Sequence, residues 1–119
     1  MDSEKIRTYC LFKTFVTEGF PFNETALVFK VAGKMFAILD LEAELRVSLK
    51  CDPEKALELR EQFSAIRPGY HLNKQHWNTI YFDGSISQDL VYSLIDHSYD
   101  LVVSKLTKKT RVEIYGKDG

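Results

Sequence analysis

The chain has 119 residues, of which 45% are hydrophobic and 28% are charged, and this is typical of one soluble globular domain. Its formal net charge of −1 excludes a general attraction to polyanions, so nucleic-acid binding would need a local basic patch. No apolar run approaches the roughly 18 residues of a membrane span, and the charges in the N-terminal stretch exclude a signal peptide.

The N-terminal part of the chain predicts a helix over Ser3–Thr17, capped by Ser3. Gly19 suits the C-terminal cap of this helix, and Pro21 cannot continue it. We expect the corner Phe20-Pro21-Phe22 to pack across one end of the core, because aromatic residues beside a proline are more often buried than exposed.

Three strands of an antiparallel meander are predicted next, over 25–31, 34–40 and 45–50. The third strand alternates between apolar and polar residues, which indicates one covered face and one polar, cationic face. We expect the polar face to be exposed to solvent, and it carries Arg46, Ser48 and Lys50.

A second helix is predicted to begin at Asp52-Pro53-Glu54, with the aspartate as N-cap, and to run to about Phe63. A fourth strand is predicted over Asn78–Phe82. The last helix is capped by Ser85 or Ser87, and its buried face is formed by Val91, Leu94, Ile95, Ser98 and Val102.

The tail from Thr107 onward is expected to fray. The resulting order, α-β-β-β-α-(β)-β-α, predicts a single compact α+β domain. Its helices would lie on one side of a mainly antiparallel sheet.

The stretch Arg67–Gly84, which we call the central segment, holds two of the three histidines and the only tryptophan. Such a mixture is poor core material, because every imidazole, amide and indole N–H needs a hydrogen-bond partner when buried. It is equally unsuited to disorder, since the aromatic residues and the Asp83-Gly84 turn indicate an ordered segment. We therefore expect any functional site to lie here.

Four stretches of the chain carry a family likeness: FPFNETALVFKVAGKMFAIL, LKCDPEKALELR, RPGYHLNKQHWNTIYFDG and LIDHSYDLVVSKL. They are similar to the MmcQ/YjbR family of small bacterial proteins, and the resemblance runs from about Tyr9 to Arg111. It implies one MmcQ/YjbR-like domain over residues 1–119, with a twisted antiparallel sheet packed by helices as in CyaY, the bacterial frataxin. It also implies a proposed role in DNA binding through two protruding wing segments, and it supplies no catalytic residues.

We favour a non-catalytic DNA-binding protein that contacts mainly the phosphate backbone, through the central segment and the cationic sheet face. Arg67, Asn73 and Lys74 are predicted to contact the backbone. His71 and His76 would act as secondary donors, and Trp77 as an anchor or stacking platform. The remaining candidates lie on the strands nearby, and they are Asn78, Lys30, Lys34, Arg46 and Lys50.

Two other interpretations use the same residues. In the first, the segment is purely structural: Trp77 anchors it to the core, His71 and His76 bond backbone carbonyls, and the lysines are merely solvated. In the second, the His, Trp and Lys surface binds a small ligand or a protein. A concave aromatic pocket at this surface would favour that second alternative over DNA binding.

An enzyme in which Asp83 or Asp96 orients one of the histidines is disfavoured, because the sequence has no nucleophile motif and no phosphate-binding loop. We expect no metal or other cofactor, since His71 and His76 lack two further ligands at a recognisable spacing. Cys10 and Cys51 are expected to be reduced, buried thiols of a cytoplasmic protein. A monomer without membrane association is favoured.

Overall fold

A computed structural model describes residues 1–42 and 44–116 of the chain. Within this part, six strands form one antiparallel sheet in the order β1-β2-β3-β4-β6-β5, and four helices accompany it. The elements in chain order are α1 Ser3–Leu11, β1 Val16–Gly19, β2 Ala26–Val31, β3 Lys34–Asp40, β4 Arg46–Lys50, α2 Pro53–Gln62, β5 Ile66–Pro68, β6 Trp77–Tyr81, α3 Gln88–Ser104 and α4 Lys108–Tyr115. The predicted α+β class is confirmed, and the likeness to CyaY stays a prediction.

The predicted meander is present as β2, β3 and β4. Ala32 and Gly33 connect β2 to β3, and both have positive φ angles, of 49° and 78°. Two consecutive positive φ angles define the tight hairpin turn whose twist matches that of the flanking strands, which explains a glycine at this corner. The strand β4 then pairs with β6, and β5 extends the sheet beyond β6.

The core lies between one face of the sheet and the helices α1 and α3. Phe29, Phe36 and Val47 from the sheet are fully buried there with Ile6 and Ile95 from the two helices. The buried face predicted for the last helix is confirmed in α3, and Ser87 is the N-cap of this helix. The start of the second helix at Asp52 and Pro53 is confirmed as well.

Ser98 is the one polar residue in the predicted apolar face of α3, and it is completely buried. Its hydroxyl donates to the carbonyl oxygen of Phe36 at 2.5 Å and accepts from the backbone N–H of Lys50 at 2.9 Å. The side chain therefore ties α3 to both β3 and β4. Cys10 and Cys51 are also buried, and both are free thiols as expected; burial raises the pKa of Cys10 to about 12.

The first helix differs from its prediction at both ends. Asp2, and not Ser3, caps it, and it ends at Leu11 instead of Thr17. Phe15 has a φ of 58°, which is incompatible with a right-handed helix, and the next residues form β1 along β2. The strand was missed because Val16 also fits the helical spacing of the residues before it.

Two further predictions about burial are wrong. Phe20 and Phe22 do not cover the core, since they are 48% and 62% exposed. Ser48 is not exposed to solvent, because its hydroxyl bonds that of Thr79 at 2.7 Å beneath the turn after β5.

The C-terminal tail does not fray over its described part. Thr107 caps α4 by accepting from the backbone N–H of Thr110, and Ile114 of this helix is buried. The hydroxyl of Tyr115 lies 2.6 Å from that of Tyr99 on α3, and this bond holds α4 against the core. The rest of the tail, 117–119, lies outside the described residues. No helix in the described ranges is long and apolar enough to cross a membrane.

Candidate functional site

The central segment supplies β6 and part of β5, and Tyr70 in the turn between them lies against the face of the sheet opposite α1 and α3. Since successive residues of a strand point to opposite faces, the burial of Val47 and Leu49 in the core places their neighbours on the other side. We call this second side the open face. It is defined here by Arg46, Ser48 and Lys50 on β4, and by their partners Tyr81, Thr79 and Trp77 on β6.

Trp77 fastens the central segment to the sheet. It is 8% exposed, and its carbonyl oxygen accepts from the N–H of Gly69 at 2.8 Å. A Cβ at position 69 would lie only 2.7 Å from the Trp77 Cβ, so the close approach of the two backbones requires glycine. The anchoring role in the structural interpretation therefore fits the position of this tryptophan.

Arg60, which was not among the predicted site residues, holds the same part of the segment. Its Nε donates to the Asn78 side-chain oxygen at 2.6 Å, and its Nη2 donates to the carbonyl oxygens of Lys74 and Trp77. Asn78 itself is 4% exposed, and its amide nitrogen donates to the carbonyl oxygen of Ala56 at 3.3 Å. Both ends of this amide are occupied by the protein, which leaves it no surface for a partner.

The side chains of Asn73 and Lys74 form hydrogen bonds within the turn between β5 and β6. The side-chain oxygen of Asn73 accepts from the N–H groups of Gln75 and His76, at 2.9 and 3.2 Å. The ammonium group of Lys74 donates to the carbonyl oxygen of Gly69 at 2.9 Å. These contacts close the turn, as asparagine side chains commonly do.

Arg67, His71 and His76 remain exposed. The guanidinium of Arg67 lies over the Tyr81 ring at 4.6 Å, and the His71 ring lies 4.1 Å from that of Tyr70. In the described part of the chain neither imidazole makes a hydrogen bond, so neither bonds the backbone carbonyls that the structural interpretation assigned to it.

The carboxylates considered for acid–base work are engaged elsewhere. Asp83 accepts from the hydroxyl and the N–H of Ser85, and these bonds lower the pKa of its carboxyl. Asp96 accepts from the Tyr9 hydroxyl at 2.8 Å and from the Lys13 ammonium at 2.5 Å. Neither carboxylate therefore orients His71 or His76.

The third histidine, His97, is a boundary residue of α3. Its Nε2 accepts from the N–H of Asp52 at 3.2 Å, at the start of α2. Burial lowers the pKa of its imidazole, with a further contribution from Lys55, and this favours the neutral form that can accept the bond. Residues 1–42 and 44–116 contain no group of three or more histidine, cysteine or acidic side chains that could hold a metal ion.

Three lysines border one groove at the Lys50 end of β4, which we call the lysine groove. Its volume is about 480 Å³, and among described residues its lining contains no carboxylate. Lys34, Lys50 and Lys105 supply the charges, and the Trp77 side chain forms part of the wall. The sequence prediction included the first two lysines but missed Lys105, because that residue ends α3 far along the chain. Lys30 is half-buried on β2, opposite Met35.

Arg46, at the other end of β4, is paired within the protein. Its guanidinium donates to the Asp40 carboxylate at 2.7 Å and lies over the Tyr70 ring at 4.1 Å. Burial opposes the charge of Arg46, but the hydrogen bond and the charge of Asp40 outweigh it and raise the pKa of the guanidinium.

A second concavity, which we call the aromatic cleft, opens beside Arg46. Its volume is about 300 Å³. Two loops enclose it: the β1–β2 loop contributes Phe22 and Asn23, and the central segment contributes Tyr70, His71 and Leu72. The open face of the sheet forms its floor, with Ala26, Ile38, Asp40, Arg46 and Ser48. Arg46 and His71 were among the predicted site residues, whereas Phe22 was not predicted to lie beside them.

The fold and this surface define a small α+β protein with helices on one face of an antiparallel sheet, the aromatic cleft on the other face, and the lysine groove between the strand ends and the end of α3. The chain belongs to the YjbR family, whose model matches residues 11–101. It is 38% identical over 112 residues to the uncharacterised protein YjbR of Escherichia coli K12, covering 93% of this chain and 95% of that one. It is 39% identical over 104 residues to the uncharacterised protein YbdF of Escherichia coli O157:H7, covering 84% and 83% of the two chains.

A solved structure shares the fold closely. The crystal structure of the Deinococcus radiodurans protein DR2400 superposes with a TM-score of 0.88 at 42% identity, over 92% of this chain and 85% of that one. A Pseudomonas syringae protein superposes with a TM-score of 0.74 at 26% identity, over 85% and 98% of the two chains. The predicted membership of the MmcQ/YjbR family is thereby confirmed.

Proposed function

We propose that this protein is a cytoplasmic DNA-binding protein that contacts the phosphate backbone through the lysine groove. The observation that carries the proposal is the convergence of Lys34, Lys50 and Lys105 on one groove without a carboxylate among its described lining residues. Lysine ammonium groups bind phosphates as point charges, and several of them along one groove give the electrostatic attraction that dominates DNA affinity.

The charges at the groove are available to a partner. In the described residues the ammonium groups of the three groove lysines form no ion pair or hydrogen bond. Arg7 is paired with Glu18, Lys13 with Asp96, and Arg46 with Asp40. A phosphate at the groove would therefore not compete with an internal carboxylate.

The start of α4 also carries positive charge. Lys108 and Lys109 follow Lys105 closely in the chain and occupy the first turn of α4, which has no acidic residue. Two positive side chains at the positive end of a helix dipole are unfavourable by about 0.3–1 kcal/mol each. A bound phosphate would relieve this repulsion, so the arrangement favours an anionic partner.

The test is a titration of fluorescently labelled duplex DNA at about 50 and 200 mM salt, where phosphate contacts determine affinity. We expect micromolar or tighter binding that weakens steeply with salt. Lys105→Gln should weaken binding to unrelated sequences equally and reduce the salt slope by about one. The triple variant Lys34→Gln, Lys50→Gln, Lys105→Gln should reduce it by about three.

Lys5→Gln is the matched control, since Lys5 is an exposed lysine on α1 and lies outside the groove. It removes the same charge from the molecule and should leave the slope unchanged. Absence of binding at the lower salt concentration would contradict the proposal. A triple variant with the slope of the unmodified protein would remove the groove from the interface.

A further inference from the structure

We infer that the aromatic cleft receives one unpaired nucleobase, so that the preferred partner is single-stranded nucleic acid. This inference rests on the proposed function and makes it more specific. Binding of single strands typically combines a cationic groove for the backbone with aromatic side chains on which bases stack. The protein has both features, one at each end of β4.

The walls of the cleft suit a flat, partly apolar ring. Phe22 stands on one side and Tyr70 with His71 on the other, and the Phe22 ring is 62% exposed without a packing role in the core. Ile38 and Leu72 add apolar contact between them. The volume of about 300 Å³ is at the lower end of the range for small-molecule sites, which fits a single base better than a larger ligand.

The floor of the cleft includes the nearly buried hydroxyl of Ser48, which is bonded to Thr79. The Thr79 oxygen accepts from the N–H of Tyr70 at 2.9 Å and lies 2.7 Å from the Ser48 oxygen. Either hydroxyl of this buried pair can be the donor. When Thr79 donates, the Ser48 hydrogen is free, and Ser48 borders the cleft.

The charged groups in the floor favour a neutral, polar ring over an anion. Arg46 and Asp40 neutralise each other, so their net charge does not attract a carboxylate or phosphate into the cleft. Arg46 still has unused N–H donors, and the Asp40 oxygens have further acceptor capacity. A nucleobase edge presents both donors and acceptors, which matches this mixed set.

The spacing of the two sites suits one strand of nucleic acid. Arg46 and Lys50 are four residues apart on the same face of β4, a distance of about 13 Å along an extended strand. Stacked nucleotides in one strand rise about 3.4 Å each, so the open face spans a few nucleotides. A base in the cleft and a phosphate of a near neighbour in the lysine groove can therefore belong to one strand.

The test compares labelled single-stranded and duplex DNA of about ten nucleotides at low salt, a length within the usual site size. We expect the single strand to bind more tightly. Phe22→Ala should lower single-strand affinity at least about fivefold and leave duplex affinity unchanged, because it removes a stacking surface and no charge. Phe12→Ala is the matched control, since Phe12 is 89% exposed and lies outside the cleft.

Equal affinity for the two DNA forms, with no effect of Phe22→Ala, would overturn the inference and leave the proposed function standing. If neither form binds, the proposed function fails, and a nucleoside monophosphate titration followed by amide NMR shifts decides the inference separately. Shifts confined to residues of the cleft, such as Ser48 and Tyr70, would support a base site. Absence of shifts there would overturn it.

Discussion

The buried and exposed sides of the central segment differ in what their polar groups do. On the buried side, Gly69, Trp77 and Asn78 are held by hydrogen bonds to the backbone and to Arg60. On the exposed side, Tyr70 and His71 border the aromatic cleft, and the His71 ring has no hydrogen bond within the described residues. One side therefore fixes the segment to the sheet, and the other presents it to solvent.

Residue type is a weak guide to the role of a side chain in a short polar segment. Asn73, Lys74 and Asn78 have the side chains expected at a phosphate interface, yet each bonds the protein itself. Lys34 and Lys50 lie on strands outside the central segment, and their ammonium groups are unpaired beside the lysine groove. Whether a cation is available depends on its neighbours in space.

On the buried side, the largest effect on stability is expected for Trp77→Ala. Removing a large side chain that is 8% exposed should lower the free energy of unfolding by about 3–5 kcal/mol, through lost apolar contact and a cavity. Urea unfolding followed by circular dichroism measures the change. Trp77→Phe keeps much of the volume and should cost clearly less. An alanine variant with the stability of the unmodified protein would show that Trp77 is not an anchor.

A smaller effect is expected for Gly69→Ala. The added methyl group would lie 2.7 Å from the Trp77 Cβ and 3.0 Å from its carbonyl oxygen, and the backbone atom has little freedom to move. Overpacking of this kind typically costs about 1–3 kcal/mol. The same unfolding experiment should show almost no loss for Gly19→Ala, because nothing lies within 4 Å of a Cβ there. Equal stabilities of the two variants would refute the close packing of β5 against β6.

The regular parts of this fold follow from the sequence because short-range patterns determine them. The meander has a two-residue turn at Ala32-Gly33, and the second helix has an aspartate cap followed by proline. The β1 strand could not be predicted in the same way. Its pairing with β2 and the positive φ of Phe15 depend on tertiary contacts that periodicity does not report.

The site was predictable in outline only. Polar and aromatic density drew attention to the central segment, which lines one wall of the aromatic cleft. Lys105 and Phe22 are remote from it in sequence, and the fold brings them to the two concavities. Arg60 gave only the signal of a basic residue in the last turn of a helix, which usually indicates an interaction with the helix dipole.

The smallest effect is expected on the exposed side, for His71→Gly. His71 has a φ of 57°, a left-handed conformation that costs a non-glycine residue roughly 1–2 kcal/mol. Glycine removes that strain but adds about 0.4–1 kcal/mol of unfolded-state entropy, so stability should stay equal or rise slightly. His76→Gly is the matched control: His76 is exposed in the same turn without a positive φ, and it should lose the full entropic amount. Equal losses of stability in the two variants would mean that His71 does not keep its positive φ in solution. A gain of stability only at position 71 would show that the buried side of the segment holds the cleft wall in this conformation.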